Sequence, residues 1–258
     1  ALLPSYDVFD ETRYFEPATS TDLATFRGHQ LGVTICEDMW CVPGRDGRLP
    51  YQWSPVEAQI AQGATLLVNV SASPYERGKL ERRRARASEL AAQAGAPMVY
   101  CNQVGGQDEL IFDGGSFAVG SNGELIAQGE RFVEGITWVD TASTGAVQAP
   151  DEDISAVCDA LCLGLSDYMF KCGFSDVVMG LSGGIDSAVT CAIAARALGP
   201  DRVVGLLMPS PWSSDHSVAD AIELAENLGV EHYTVPIGPL MEGYDATLVE
   251  VMKSREPD

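Results

Sequence analysis

Two short stretches of the sequence combine residue types that can do chemistry. The first is Gly32-Val33-Thr34-Ile35-Cys36-Glu37-Asp38-Met39-Trp40, where a β-branched run ends directly on a cysteine. A thiol at a strand end is exposed at a tight turn, and a nearby cation or helix N-terminus would lower its pKa and make it a nucleophile. Most cysteines are small core hydrophobes, so position alone leaves both roles open for Cys36. The second is Gly180-Leu181-Ser182-Gly183-Gly184-Ile185-Asp186-Ser187, entered by a hydrophobic strand and left by an Ala-rich helix. Its glycines let backbone approach a phosphate, and free amides at the helix start can donate to the anion. Ser182 and Ser187 add hydroxyl donors. Asp186 would repel a bare phosphate, so its carboxylate makes sense as a ligand to a phosphate-bound Mg²⁺. The Gly-Lys-Ser/Thr ending of the common nucleotide loop is missing.

The elements that must position these stretches fall into two groups. In the first, Gln30 to Ile35, Thr65 to Val70 and Pro97 to Val104 read as strands. Gly78 to Ala94 reads as a helix with Leu80, Ala87, Leu90, Ala91 and Ala94 on one side. Lys79, Arg82, Arg83, Arg84 and Arg86 are expected on a solvated face, paired with Glu76, Glu81 and Glu89. Phe117 to Val119 and Glu124 to Ala127 flank Ser121-Asn122-Gly123, a hairpin signal. In the second group, a helix over Asp151 to Lys171 precedes strands at 177–181, 203–208 and 231–235, with helices at 186–198 and 217–228 between them. This alternation implies parallel pairing and a doubly wound α/β sheet, with ligands beyond the carboxyl ends of the strands. Residues 141–150 (TASTGAVQAP) read as a linker between a domain over 1–140 and one over 151–258.

Charge narrows the function. The 258 residues carry a formal net charge of −21, with 11 basic and 19 acidic residues up to position 150 and 5 and 18 after it. Neither nucleic acid nor an anionic membrane suits such a chain, whereas a magnesium-shielded nucleotide does. Seven irregularly spaced cysteines argue against a disulfide framework and for a reducing cytoplasm. Cys158 and Cys162, four apart on a helix, have no His nearby and are assigned to packing, and His216 to a surface turn. The start at Ala1 and the end at Glu256-Pro257-Asp258 give the expectation of a fragment of a longer protein.

The string at 180–187 resembles the pyrophosphatase loop of ATP-dependent amidating and thiolating ligases. Met208-Pro209-Ser210, Trp212-Ser213-Ser214 and Asp220-Ala221 followed by Leu224-Ala225 and Leu228-Gly229 resemble the NAD synthetase branch. Cys36-Glu37-Asp38, with Asn69, Ser71-Ala72-Ser73-Pro74 and Lys79, resembles the nitrilase-type glutaminase half of glutamine-dependent NAD synthetases. Two further strings match the same half: Leu3-Pro4 with Tyr6-Asp7-Val8-Phe9-Asp10-Glu11, and Tyr100-Cys101-Asn102-Gln103-Val104-Gly105-Gly106-Gln107 running on to Phe112-Asp113-Gly114-Gly115-Ser116-Phe117.

This resemblance implies a partial nitrilase-like α-β-β-α sandwich followed by a partial Rossmann-like sheet. It implies Cys36 as the nucleophile, Tyr6, Glu37, Ser73 and Lys79 as glutamine-binding residues, and Gly180 to Ser187 as the ATP loop with Mg²⁺ on Asp186. The oxyanion Lys would stand just before Ala1, and the general-base Glu further upstream. Glutamine would supply ammonia, ATP would adenylate deamido-NAD, and the amide formed would be NAD. Small-molecule substrates and further copies of itself are the expected partners. Another glutamine-fed amide ligase, such as one making GMP, and a nucleotide-binding module without catalysis are the alternatives.

Overall fold

The computed structural model describes residues 1–6, 8–42, 49–142, 147 and 154–249. The chain forms two compact units, Ala1–Ala160 and Leu161–Asp258, the division falling within the helix Ile154–Cys172. Of the expected linker only Thr141, Ala142 and Val147 are described, and the amide of Val147 donates to the Leu125 carbonyl at 2.8 Å. The expected helix over 151–171 is described from Ile154; its first three positions lie outside the described residues.

In the first unit the chain runs through β1 (Ala24–Phe26), β2 (His29–Ile35), α1 (Pro55–Ala61), β3 (Leu66–Ser71), α2 (Lys79–Ala94), β4 (Met98–Asn102), β5 (Val104–Gln107), β6 (Leu110–Asp113), β7 (Phe117–Val119) and β8 (Leu125–Gln128). Six strands form one sheet in the order β1-β2-β3-β4-β7-β8, and β5 and β6 form a separate hairpin. The helical crossovers α1 and α2 make β2, β3 and β4 parallel, whereas the remaining neighbours are antiparallel. Register places Val33, Val68 and Val99 in one row. The two-residue period sends Leu67, Asn69 and Ser71 toward the helices and Val68 and Val70 to the other face, where Val33, Ile35 and Val70 are exposed.

Helix α2 covers the sheet with Leu80, Ala87, Leu90 and Ala91, which pack with Leu67, Met98, Tyr100, Phe117 and Val119. Gly95 ends it in the left-handed region at φ +59°, a conformation that favours glycine. Arg83 and Arg84 do not lie on a solvated face: Arg83 is fully buried and Arg84 nearly so. The helical repeat explains it, because Arg83 is three residues after Leu80 and four before Ala87 and so stands within the apolar stripe. Glu76, Glu81 and Glu89 do pair with this helix, with Arg82, Arg84 and Arg86 at 2.7, 3.9 and 3.1 Å.

After α3 (Ile154–Cys172), which spans the division, the second unit runs through β9 (Val177–Gly180), α4 (Ile185–Leu198), β10 (Val203–Leu207), α5 (Asp215–Leu228), β11 (Glu231–Thr234) and α6 (Gly238–Leu248). Strand β10 lies between β9 and β11 and pairs parallel with both. Leu181, Cys191, Ala194, Val203, Leu207, Ala221 and Ala225 form its core. Ser214 caps α5 by accepting from the Ser217 amide at 3.1 Å, so His216 falls in the first helical turn rather than a surface turn, paired with Asp220 at 3.0 Å.

Candidate functional site

Cys36 follows the last residue of β2, takes φ +37°, an uncommon conformation for a residue with a Cβ, and opens the short 3-10 turn Cys36–Trp40. Its neighbours hold that turn. The Asp38 carboxylate accepts from the amides of Ile35 at 2.8 Å and Leu2 at 2.5 Å. Asn69 donates to Thr34 Oγ1 at 3.0 Å and to the Cys36 carbonyl at 3.5 Å, while Ser71 Oγ donates to Asn69 at 2.6 Å.

A cavity of about 310 Å³ opens beside the thiol, and Cys36, Tyr6, Glu37, Ser73 and Lys79 all line it, with Phe9, Trp40 and Arg82. Four of these positions come together because the carboxyl ends of the parallel strands β2 and β3 meet the start of α2, and Tyr6 joins them through its bond to Glu37. Glu37 is buried and accepts from the hydroxyls of Tyr6 at 2.7 Å and Tyr51 at 2.8 Å. A second cavity of about 480 Å³, walled by Leu2, Leu3, Phe15, Ile35 and Ala72, also touches Cys36 and Glu37.

The electrostatics differ from expectation. The Cys36 thiol is pushed up, not down: burial is the largest cause and Glu37 adds to it, while Ser71, the Ala72 amide and Lys79 pull the other way. Lys79 is held below its ordinary value by burial and then by the Arg83 charge. Tyr51 is pushed up by burial and by Glu37. A thiol so placed needs a base to take its proton.

In the second unit, Gly180, Leu181 and Ser182 line a cavity of about 480 Å³ with Met208, Pro209, Trp212, Ser213, Ser214 and Ser217. Gly183 to Ser187 form the adjoining turn and the start of α4. Ser182 and Ser187 hydroxyls lie 3.1 Å apart, and Ser187 Oγ donates to the Gly184 carbonyl at 3.0 Å. Gly183 has φ +76°, and a Cβ there would stand 2.1 Å from the Ser217 carbonyl oxygen. Asp186 is exposed on the first helical turn. Among the described residues no cluster of three or more His, Cys, Asp and Glu forms a metal cage. A single open carboxylate fits Mg²⁺ that takes its other ligands from phosphates and water.

Three supporting residues escaped the sequence reading. Tyr51 gives no signal in its local pattern. Arg83 could have been found from its place in the apolar stripe. Asn102 ends β4 two residues before the expected Val104; its side chain accepts from the Ser73 amide at 2.9 Å and donates to the Ser73 carbonyl at 3.2 Å.

Residues 3–150 match the carbon-nitrogen hydrolase model and residues 157–256 the NAD synthase model. The chain is 48% identical to a glutamine-dependent NAD(+) synthetase of Synechocystis sp., covering 98% of this chain and 46% of that protein. With the Thermotoga maritima protein of the same name the identity is 38%, covering 99% of this chain and 50% of that protein. The structure of glutamine-dependent NAD+ synthetase from Acinetobacter baumannii in complex with ADP matches all of this chain and 48% of its own, at 36% identity and a TM-score of 0.87. The chain thus spans about half the length of the curated relatives it matches. By its match over residues 3–150 the chain belongs to the carbon-nitrogen hydrolase family, and an NAD synthase region follows in the same chain.

Proposed function

We propose that this chain carries the glutaminase centre and the ATP loop of a glutamine-dependent NAD synthetase. The observation that carries the reading is the meeting of Cys36 with Tyr6, Glu37, Ser73 and Lys79 around one cavity, in a chain that also holds the 180–187 loop. The Cys36 sulfur attacks the side-chain amide carbon of glutamine, the C–N bond breaks and ammonia leaves. Water then hydrolyses the thioester to glutamate and restores the thiol. The resemblance gives the general base to a Glu and oxyanion stabilisation to a Lys. In the cavity, Lys79 and Ser73 offer donors and Glu37 an acceptor, a set that suits a zwitterionic amino acid.

At the second site, backbone amides of 182–184 and the Ser182 and Ser187 hydroxyls hold the phosphates of ATP. Asp186 would hold Mg²⁺, which supplies charge neutralisation at the phosphates when bound. The carboxylate of deamido-NAD attacks the α-phosphorus, pyrophosphate leaves, and ammonia displaces AMP to give NAD. A cytoplasmic setting and assembly with identical chains belong to the same proposal. Among the described residues no helix is long and apolar enough to cross a membrane.

The test is product stoichiometry in the full-length protein supplied with glutamine, ATP and deamido-NAD. Equal amounts of NAD, AMP and pyrophosphate are expected. ADP and phosphate, or no NAD, would overturn the reading.

A further inference from the structure

Behind the Cys36 cavity lies a charged group that the chemistry above does not use. Arg83 is fully buried, and its guanidinium reaches four acceptors. Nη1 pairs with Asp113 Oδ1 at 2.8 Å, Nη2 donates to the carbonyls of Ser73 at 2.8 Å and Pro74 at 2.9 Å, and Nε donates to Ser73 Oγ at 3.2 Å. Asn102 clamps the same residue from the other strand, through the Ser73 amide and carbonyl. Asp113 is itself buried and pairs with Arg83 through one oxygen and, at 3.3 Å, with Arg131 through the other. A cation this far from water is costly, and every bond it makes leads to the 73–74 turn or to the carboxylate that balances it.

The polarity of one contact decides its use. A guanidinium has donors and no acceptor, so Ser73 Oγ can only accept from Arg83 Nε. The Ser73 hydroxyl hydrogen is then left for a partner other than Arg83, and Ser73 lines the cavity together with the Lys79 ammonium. Two donors in one cavity with the Glu37 carboxylate match the carboxylate and the ammonium of an α-amino acid. We infer that Arg83, balanced by Asp113, is a positioning residue that fixes Ser73 as a hydrogen-bond donor to the α-carboxylate of glutamine. Arg83 itself touches no substrate, and this inference rests on the glutaminase reading.

The test uses the full-length protein and glutamine hydrolysis over a range of glutamine concentrations. Two variants complement each other. Arg83→Lys keeps a charge against Asp113 but loses the fork. Arg83→Met with Asp113→Asn removes the ion pair yet keeps an amide oxygen as acceptor for Asn102 and Arg131. Because the α-carboxylate lies several bonds from the amide being cleaved, KM should rise about tenfold while kcat stays within about twofold of the parent. An unchanged KM in both variants, or a fall in kcat without a rise in KM, would overturn the inference by showing that the network only braces the turn. If the parent protein does not hydrolyse glutamine at all, the glutaminase reading falls first, and this inference with it.

Discussion

Around Cys36 the polar groups are buried and cross-braced, whereas around Ser182 they are open to solvent. Glu37, Asp38, Ser73 and Arg83 are 8, 3, 2 and 0% exposed, and every buried polar side chain among the described residues lies between Thr34 and Asp113. In the second unit Ser182, Gly184 and Asp186 are exposed, and the loop is shaped by backbone and short hydroxyl contacts. The difference fits the chemistry proposed for the two sites. A covalent step at a neutral amide needs fixed polarity and little water, and both demand buried, fully partnered groups. A nucleotide brings its own charge and, with Mg²⁺, its own counter-ion, so amides and hydroxyls on an open turn suffice.

The contrast can be broken hardest at Gly183. A side chain there meets the Ser217 carbonyl and a strained φ, so Gly183→Ala in the full-length protein should cut NAD formation from any nitrogen donor roughly 100-fold or more. Glutamine hydrolysis at Cys36 should persist, as a glutamate assay would show. On the stability side the contrast is broken at the buried ion pair. Asp113→Ala leaves Arg83 uncompensated and should cost about 3–5 kcal/mol in a denaturant titration of the first unit.

The thiol sharpens the comparison through pH. Its folded pKa is raised, so between the ordinary thiol range and that raised value the folded protein holds the proton that the unfolded chain has lost. Alkylation of Cys36 by iodoacetamide, followed by peptide mass, should therefore lag behind the denatured protein at mildly alkaline pH and catch up above the folded pKa. The associated stability is present below the unfolded pKa and is lost as pH rises through the folded one. Glu37→Gln should move the midpoint down and Lys79→Met should move it further up. The smallest effect belongs to the exposed pair in the second unit. Asp220→Ala removes the partner of His216 and should change stability by at most about 0.5 kcal/mol, read from the thermal midpoint.

Much of this was legible in the sequence where pattern and chemistry coincide. The strands leading to Cys36 and Gly180 are apolar and β-branched, and they end within one or two residues of where their periodicity stops. The hairpin at Ser121-Asn122-Gly123 forms with Gly123 at φ +82°, as Asn-Gly predicts. Helix α1 is announced only by Ser54 before Pro55, a capping signal, because seven residues are too few for a clear apolar stripe. The β5–β6 hairpin hides behind Val104-Gly105-Gly106-Gln107, whose glycines carry no alternation. The charge of Arg83 points to solvent, whereas its spacing from Leu80 and Ala87 places it inside. The pairing of Asn102 and Asp113 with residues thirty positions away leaves no trace in local pattern at all.

The separation of two chemistries is tested most directly by replacing the sulfur and changing the nitrogen source. NAD formation would be followed in the full-length protein and its Cys36→Ala variant, each given ATP, deamido-NAD and either glutamine or ammonium. The account predicts that the variant loses the glutamine-driven reaction and keeps the ammonium-driven one. A variant that still uses glutamine as well as the parent does would contradict it.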